Sequence, residues 1–427
     1  MRCALFLVLA VLVFSCKKDG DGSAPAVSIV LPVDGLQADV LDTVHIKVEL
    51  SDDVALSRLE VRLVTTGQVP VMIADVRNTT GTSATVEMNY ILYDTHVLSG
   101  QYYLEAKAFD EAGNESHDFA LINLTEVPRV LKGVFAATTT PGFVELHRID
   151  SAWNLWSFGN YQGDFTDLEV NSWWQQVAYT GSETGVFRSV SIDGNWAGWT
   201  MNALPSAGPY WGNVISHGRD WLVNFRANGL LKTYTWNGSS SVIYTANNAY
   251  HFRHFVVSGD KLFADMADFS ETTRFMGVYV SDGGGAIQQT VINLNPVALL
   301  PRDATTIYAV GNENNQGKLL IYDYDQNGFW EPVALPAGKV LSATQIDAST
   351  LLIAMDNGTV YKFTYSPVGL LPWLSATAQH IRYDEAGGTV ITCEGTSIKQ
   401  YDYPQTGVLE QTVLADTAAD IELWYNR

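Results

Sequence analysis

The chain has 427 residues, of which 47% are hydrophobic and 17% charged, with 46 Asp and Glu against 25 Lys and Arg. A formal charge of −21 repels phosphate backbones and anionic lipid surfaces, which argues against a nucleic-acid partner. Of the three cysteines, Cys3 and Cys16 lie near the start, so Cys393 stands alone and neither a disulfide framework nor a cysteine metal cluster is available. Within the apolar run Thr389-Val390-Ile391-Thr392-Cys393, that residue reads as a buried small hydrophobe.

Met1-Arg2 precedes an apolar run from Ala4 to Phe14 and then Ser15-Cys16. A charged start, a short apolar core and a small residue at the cut read as a signal peptide over 1–15. The run is too short for an ordinary membrane-spanning helix. Leu12-Val13-Phe14-Ser15-Cys16 resembles a bacterial lipobox, although Phe14 stands where a small residue is usual. The resemblance implies that Cys16 is the lipidation site; the alternative is a plain signal peptide with an incidental cysteine. Residues 16–25 are polar and Gly-rich, a flexible tether. The Cys-Lys-Lys-Asp start resembles lipoproteins of the Bacteroidetes, which implies an outer-membrane lipoprotein facing the cell surface or periplasm, held to the membrane by its lipid anchor.

Residues 26–126 alternate at period two. Val44, Ile46, Val48 and Leu50 interleave with His45, Lys47 and Glu49, the pattern of half-buried antiparallel strands. Several such segments broken by Asp-, Gly- and Asn-containing turns predict a β-sandwich. The stretch from Tyr103 to Asn114 resembles the penultimate hairpin of bacterial immunoglobulin-like and cadherin-like modules, which implies an immunoglobulin-like domain acting as a spacer. Asp52, Asp53, Asp110, Glu111 and Asn114 offer oxygen ligands to calcium. The same residue types serve turns. No other cofactor is indicated.

From 127 to 427 one unit recurs. Val134, Val177, Leu222, Leu262, Ile307, Leu351 and Val390 occupy one equivalent place in short apolar strands, about 43 residues apart on average, the length of a four-stranded propeller blade. Each is followed by a turn and a third strand rich in Tyr, Phe and Trp. A first strand precedes six of the seven, and Asp420-Ile421-Glu422-Leu423-Trp424-Tyr425 at the end reads as the missing one. The whole chain is therefore expected to be all-β, a sandwich followed by a seven-bladed β-propeller closed by its C-terminal strand, with no open edge between first and last blade. The alternatives are a stack of sandwiches or an open solenoid. Turns such as Ser191-Ile192-Asp193-Gly194-Asn195-Trp196 and Asp323-Tyr324-Asp325-Gln326-Asn327-Gly328 resemble degenerate Asp-box turns of sialidases, where Asp caps the turn and Trp packs between blades.

No nucleophile elbow, zinc-protease helix or phosphate loop occurs, and 46 acids do not single out a catalytic pair. The loops between blades are richer. Gly159–Gly163, Gly208–Gly212 and Asn247–Arg253 bring Tyr161, Tyr210, Trp211, Tyr250 and His251 to one face, and nearby loops add Arg226 and Arg274. Aromatic rings with a few polar groups suit a sugar, whose C–H faces stack while its hydroxyls hydrogen-bond. The same rings could instead be wedges between blades. Trp173, Trp174 and Trp221 read as packing. These seven residues are the expected ligand-binding set of a non-enzymatic binding module for a glycan or protein. The alternatives are a glycan-active hydrolase on the same face and a scaffold subunit of an envelope complex.

Overall fold

The computed structural model describes residues 22–183, 185–194, 198–206, 208–247 and 249–427. The signal peptide and Cys16 lie outside these, as do Asn195 and Trp196. The chain is all-β, and the one helical element among the described residues is a single 3-10 turn, Arg226–Asn228. None of the described helices is long and apolar enough to cross a membrane. The chain divides into two compact units, 1–128 and 129–427.

In the N-terminal unit a three-stranded and a five-stranded sheet share one core. The alternation seen in the sequence becomes burial: along Thr43–Ser51, Val44, Ile46, Val48 and Leu50 are buried while the residues between them face out. They meet Leu59, Val61, Leu63, Leu104 and Ile122 of the other sheet. The strands Gly100–Asp110 and Glu115–Thr125 form the expected hairpin, turned by Gly113 at φ 91°. The Asp110 carboxylate accepts the Asn114 backbone N–H at 2.8 Å and its side-chain N–H at 2.7 Å. Asp52 likewise accepts from Val54 N at 3.0 Å and Ala55 N at 2.7 Å. These oxygens hold turns, and among the described residues no cluster of three or more His, Cys, Asp or Glu could hold a metal ion.

The C-terminal unit holds, among the described residues, seven sheets that follow one another along the chain. Their second strands are buried over most of their length, and two of them, Gln176–Thr180 and Thr350–Met355, at every residue. A strand covered on both faces needs apolar side chains throughout, so these strands read as continuous apolar runs. The C-terminal strand Ala418–Tyr425 pairs antiparallel with Leu131–Thr140 and completes the first sheet. One apolar core lies between each sheet and the next, and a seventh joins the last sheet to the first, with Ile391, Cys393 and Ile398 against Val134, Ile149 and Ile421. The succession therefore closes into a ring. Cys393 is fully buried there, its thiol pushed up to about 12 by burial first and then by nearby Asp420 and Glu394.

The innermost strands line the ring axis, because each packs on those of its neighbours. Asp167–Asn171 touches both Val214–His217 and Ala418–Tyr425, and His380–Asp384 touches both Val340–Asp347 and Ala418–Tyr425. The sheets widen outward, and large rings fill the gaps between them. Trp199, next to one Asp-box-like turn, sits 4.6 Å from Phe187 and 5.3 Å from Tyr234. In the other such turn Asp323 Oδ1 accepts the N–H groups of Asp325 and Gln326.

Candidate functional site

The residues expected to form an aromatic platform do not form one. Tyr210 and Trp211 are 5% and 1% exposed and belong to the core between the second and third sheets. The Trp211 ring lies 4.8 Å from Phe225. Their chain segment is a loop, but the side chains turn into the gap that two diverging sheets leave, and burial of that much apolar surface decides their orientation. Tyr161 belongs to the strand Leu155–Gln162 and is half-buried against Tyr179, with the Arg188 guanidinium 4.8 Å from its ring centre. Tyr250 and His251 begin the strand Tyr250–Ser258, four residues earlier than the sequence suggested, and Tyr250 packs edge-on to Phe275 at 5.0 Å. The asparagine at 248 lies outside the described residues.

Arg226, His251 and Arg274 are brought together, around a residue absent from the expected set. Glu271 sits in the turn between Lys261–Asp268 and Arg274–Val280, with a left-handed φ of 59°. That turn is pinned by Asp268, whose carboxylate accepts from Thr272 N and Thr272 Oγ1, each at 2.7 Å. Glu271 accepts from Arg226 Nη2 at 2.6 Å, His251 Nε2 at 3.0 Å, Arg274 Nη2 at 3.2 Å and Arg253 Nη1. Burial pushes its carboxyl up, but Arg253, His251, Arg226 and Arg274 together outweigh this and hold it below the usual range. His251 is 1% exposed; burial, and then the charge of Arg226, lower its pKa, so the ring is neutral near pH 7. His251 and Arg253 are two apart in a strand, the one signal in the sequence that placed both on the same face.

A cavity of about 250 Å³ opens beside this cluster, bounded by Ser206, Gly208, Pro209, Arg226, His251 and Phe269. Phe269 stands at its edge, 57% exposed, with its ring 5.4 Å from that of His251. A ligand in the cavity can reach it.

A larger cavity, about 640 Å³, opens at the opposite end of the ring axis. Its rim carries residues at or just past the ends of innermost strands: Ser172, Trp173, Gly218, Asp347, Glu385 and Arg427. Trp173, read as packing from the sequence, therefore lines an open cavity, with Arg219 4.3 Å from its ring centre. Trp221, in contrast, is fully buried. Deeper lie Glu169, Arg382 and Glu422. Arg382 Nε donates to Glu422 Oε1 at 2.7 Å and Nη2 to Asp420 Oδ1 at 3.1 Å, and His380 Nδ1 reaches the same Asp420 oxygen at 3.1 Å. This network ties the last sheet to the closing strand.

The axial carboxyls differ in charge preference. Burial, with the charge of Asp420 for Asp167 and of Glu422 for Glu169, raises both well above the usual range. Glu422 is raised too, by burial that Arg382 offsets only in part. For Asp420, burial is outweighed by Arg382 and His380 and the carboxyl is lowered. A carboxyl raised in the folded state contributes stability in full below its unfolded value of about 4, and that contribution is lost as pH rises through the folded value. Three raised groups against one lowered predict that the fold weakens as pH rises above about 5. Glu169→Gln, which cannot ionise, should flatten that dependence and unfold at higher urea than wild type at pH 8. A Glu169→Gln profile parallel to wild type would refute this.

No protein-family model matches the chain, and no curated protein matches it. Among solved structures, a quinoprotein alcohol dehydrogenase-like protein from Bacteroides thetaiotaomicron aligns at 10% identity over 94% of this chain and 99% of its own, with a TM-score of 0.48. The WD40 propeller domain of Doa1 aligns at 14% identity over 61% of this chain and 88% of its own, with a TM-score of 0.47. The C-terminal WD40 domain of Sif2 aligns at 10% identity over 92% and 99%, with a TM-score of 0.42.

Proposed function

We propose that this chain is a lipid-anchored, extracytoplasmic binding protein of the outer membrane. Cys16 carries the anchor, an immunoglobulin-like sandwich acts as spacer, and a seven-bladed β-propeller holds a non-enzymatic glycan site. The propeller reading is supported by the seven inter-sheet cores and by the pairing of Ala418–Tyr425 with Leu131–Thr140. The glycan reading is carried by one observation: the cavity that joins an exposed aromatic face, Phe269, to the guanidinium donors of Arg226, over the buried ring of His251. A stacking face beside a few fixed polar groups is how a sugar ring is held. The other cations of the cluster are occupied by Glu271 and serve to position these two.

The test is thermal unfolding of the purified protein against a panel of neutral and acidic saccharides, with Phe269→Ala alongside. A ligand at 100 times its Kd stabilises the fold by about 2.7 kcal/mol. The shift is expected in wild type and not in Phe269→Ala. A panel with no shift would remove the glycan reading.

A second reading, a glycan-active hydrolase, is favoured by the raised carboxyls of Glu169 and Glu422 at the axial cavity. Its site would lie at the opposite end of the ring from the inter-sheet loops, because Glu271, beside the loop-face cavity, is held by four cationic or polar donors. Release of cleaved product, abolished by Glu169→Gln, would establish it.

A further inference from the structure

We infer that the cavity beside Phe269 takes a uronate, a sugar residue whose ring carries one carboxylate. The inference rests on the glycan reading above and names the ligand class of that same site. Three chemically different groups meet there, and two of them, Arg226 and Phe269, each ask for a different part of such a ligand.

The first is Arg226. Its side chain is 33% exposed and bounds the cavity, and its hydrogen bond to the described residues uses Nη2 on Glu271. A guanidinium has five N–H donors in a planar fork that matches a carboxylate, so donors remain for a second one.

The second is His251. A carboxylate can only accept, so the 3.0 Å contact to Glu271 Oε1 places the ring hydrogen on Nε2. In the neutral ring Nδ1 is then left as an acceptor. It is buried and has no partner among the described residues, on a ring that lines the cavity. A buried acceptor without a donor is unfavourable. Nδ1 is itself closed to solvent, so the ring enters the site as a fixed wall and not as a hydrogen-bonding group.

The third is Phe269, whose exposed face offers a surface for the C–H side of a ring. The volume, about 250 Å³, suits one sugar residue and not a chain.

Other ligands satisfy fewer of these groups. Phosphate could engage Arg226 but has no apolar face to lie on Phe269. A neutral sugar could stack but would leave the Arg226 fork in water. A polyanionic chain would be repelled by the net charge of −21, so the uronate belongs to an otherwise neutral glycan or stands alone.

The experiment is calorimetric titration of the purified protein with glucuronate, glucose and inorganic phosphate. Wild type is compared with Arg226→Gln, Arg226→Lys and Phe269→Ala, each first shown to unfold at the wild-type temperature. Glucuronate is expected to bind at least about tenfold more tightly than glucose, the worth of one charged hydrogen bond. Arg226→Gln should bring glucuronate down to the glucose level, Arg226→Lys should retain part of the difference, and Phe269→Ala should weaken both sugars. Glucose binding as tightly as glucuronate, still sensitive to Phe269→Ala, would overturn the uronate class and leave the glycan site standing. Binding of neither sugar would overturn both. Phosphate competing with glucuronate, with Phe269→Ala without effect, would mark a plain anion site and overturn the inference.

Discussion

Replacing Arg382 by Met is expected to destabilise the protein by about 3 kcal/mol, the low end of what removing one partner of a buried ion pair costs. The low end applies because the guanidinium is 25% exposed, to water in the axial cavity. Burial alone would lower the Arg382 pKa, but Glu422 and Asp420 outweigh it and keep the group charged. Without Arg382 these two carboxylates face each other and Glu169 across the axis, with His380 left as a hydrogen-bond partner of Asp420. The damage falls where the ring is closed by strand pairing between the two ends of the C-terminal unit, Ala418–Tyr425 on Leu131–Thr140. Urea unfolding of Arg382→Met should therefore show the midpoint falling. The triple variant Arg382→Met, Asp420→Asn, Glu422→Gln should recover most of the loss, since neutral partners leave no uncompensated charge. A single variant as stable as wild type would show that the network does not hold the seam.

Trp211→Ala is the second large effect, expected at about 3–5 kcal/mol, the cost of emptying a buried aromatic position. The side chain is 1% exposed and meets Phe225 and Phe187 between two sheets. Phe269→Ala, at an exposed loop, should change stability by no more than about 0.5 kcal/mol. The pair separates packing from recognition. Trp211→Ala should shift the unfolding midpoint and, where folded, still bind sugar; Phe269→Ala should do the reverse. If Trp211→Ala kept wild-type stability but lost ligand, the ring would be a binding residue and its placement in the core would be wrong.

Much of the architecture was legible because the second strands are buried on both faces, and such strands stand out as apolar runs at a regular interval. The closing strand was legible by subtraction: one unit lacked a first strand and the chain ended with one. The loop aromatics were less readable. A Tyr or Trp between two sheets looks the same in sequence whether it points outward or into the gap, and the choice is made by how far the sheets diverge. Tyr210 and Trp211 went inward, whereas Phe269, in a turn rich in polar residues, stayed out. Tyr250 and His251 read as loop in the sequence because the strand's apolar pattern is interrupted by Arg253 and His254; a register shift between Phe252 and Phe255 lies there. The axial cluster had no signature at all. Glu169, Arg382 and Glu422 come from three strands far apart in the chain, and only closure of the ring makes them neighbours. Glu271 was equally hidden, since its role depends on Arg226 from a different sheet.

The measurement that bears most directly on the central claim is a crystal structure of the protein grown with glucuronate. The expected result is a sugar ring lying on Phe269 with its carboxylate on Arg226. A sugar bound instead in the axial cavity, among Glu169, Trp173 and Glu422, with the Phe269 cavity holding only water, would contradict it.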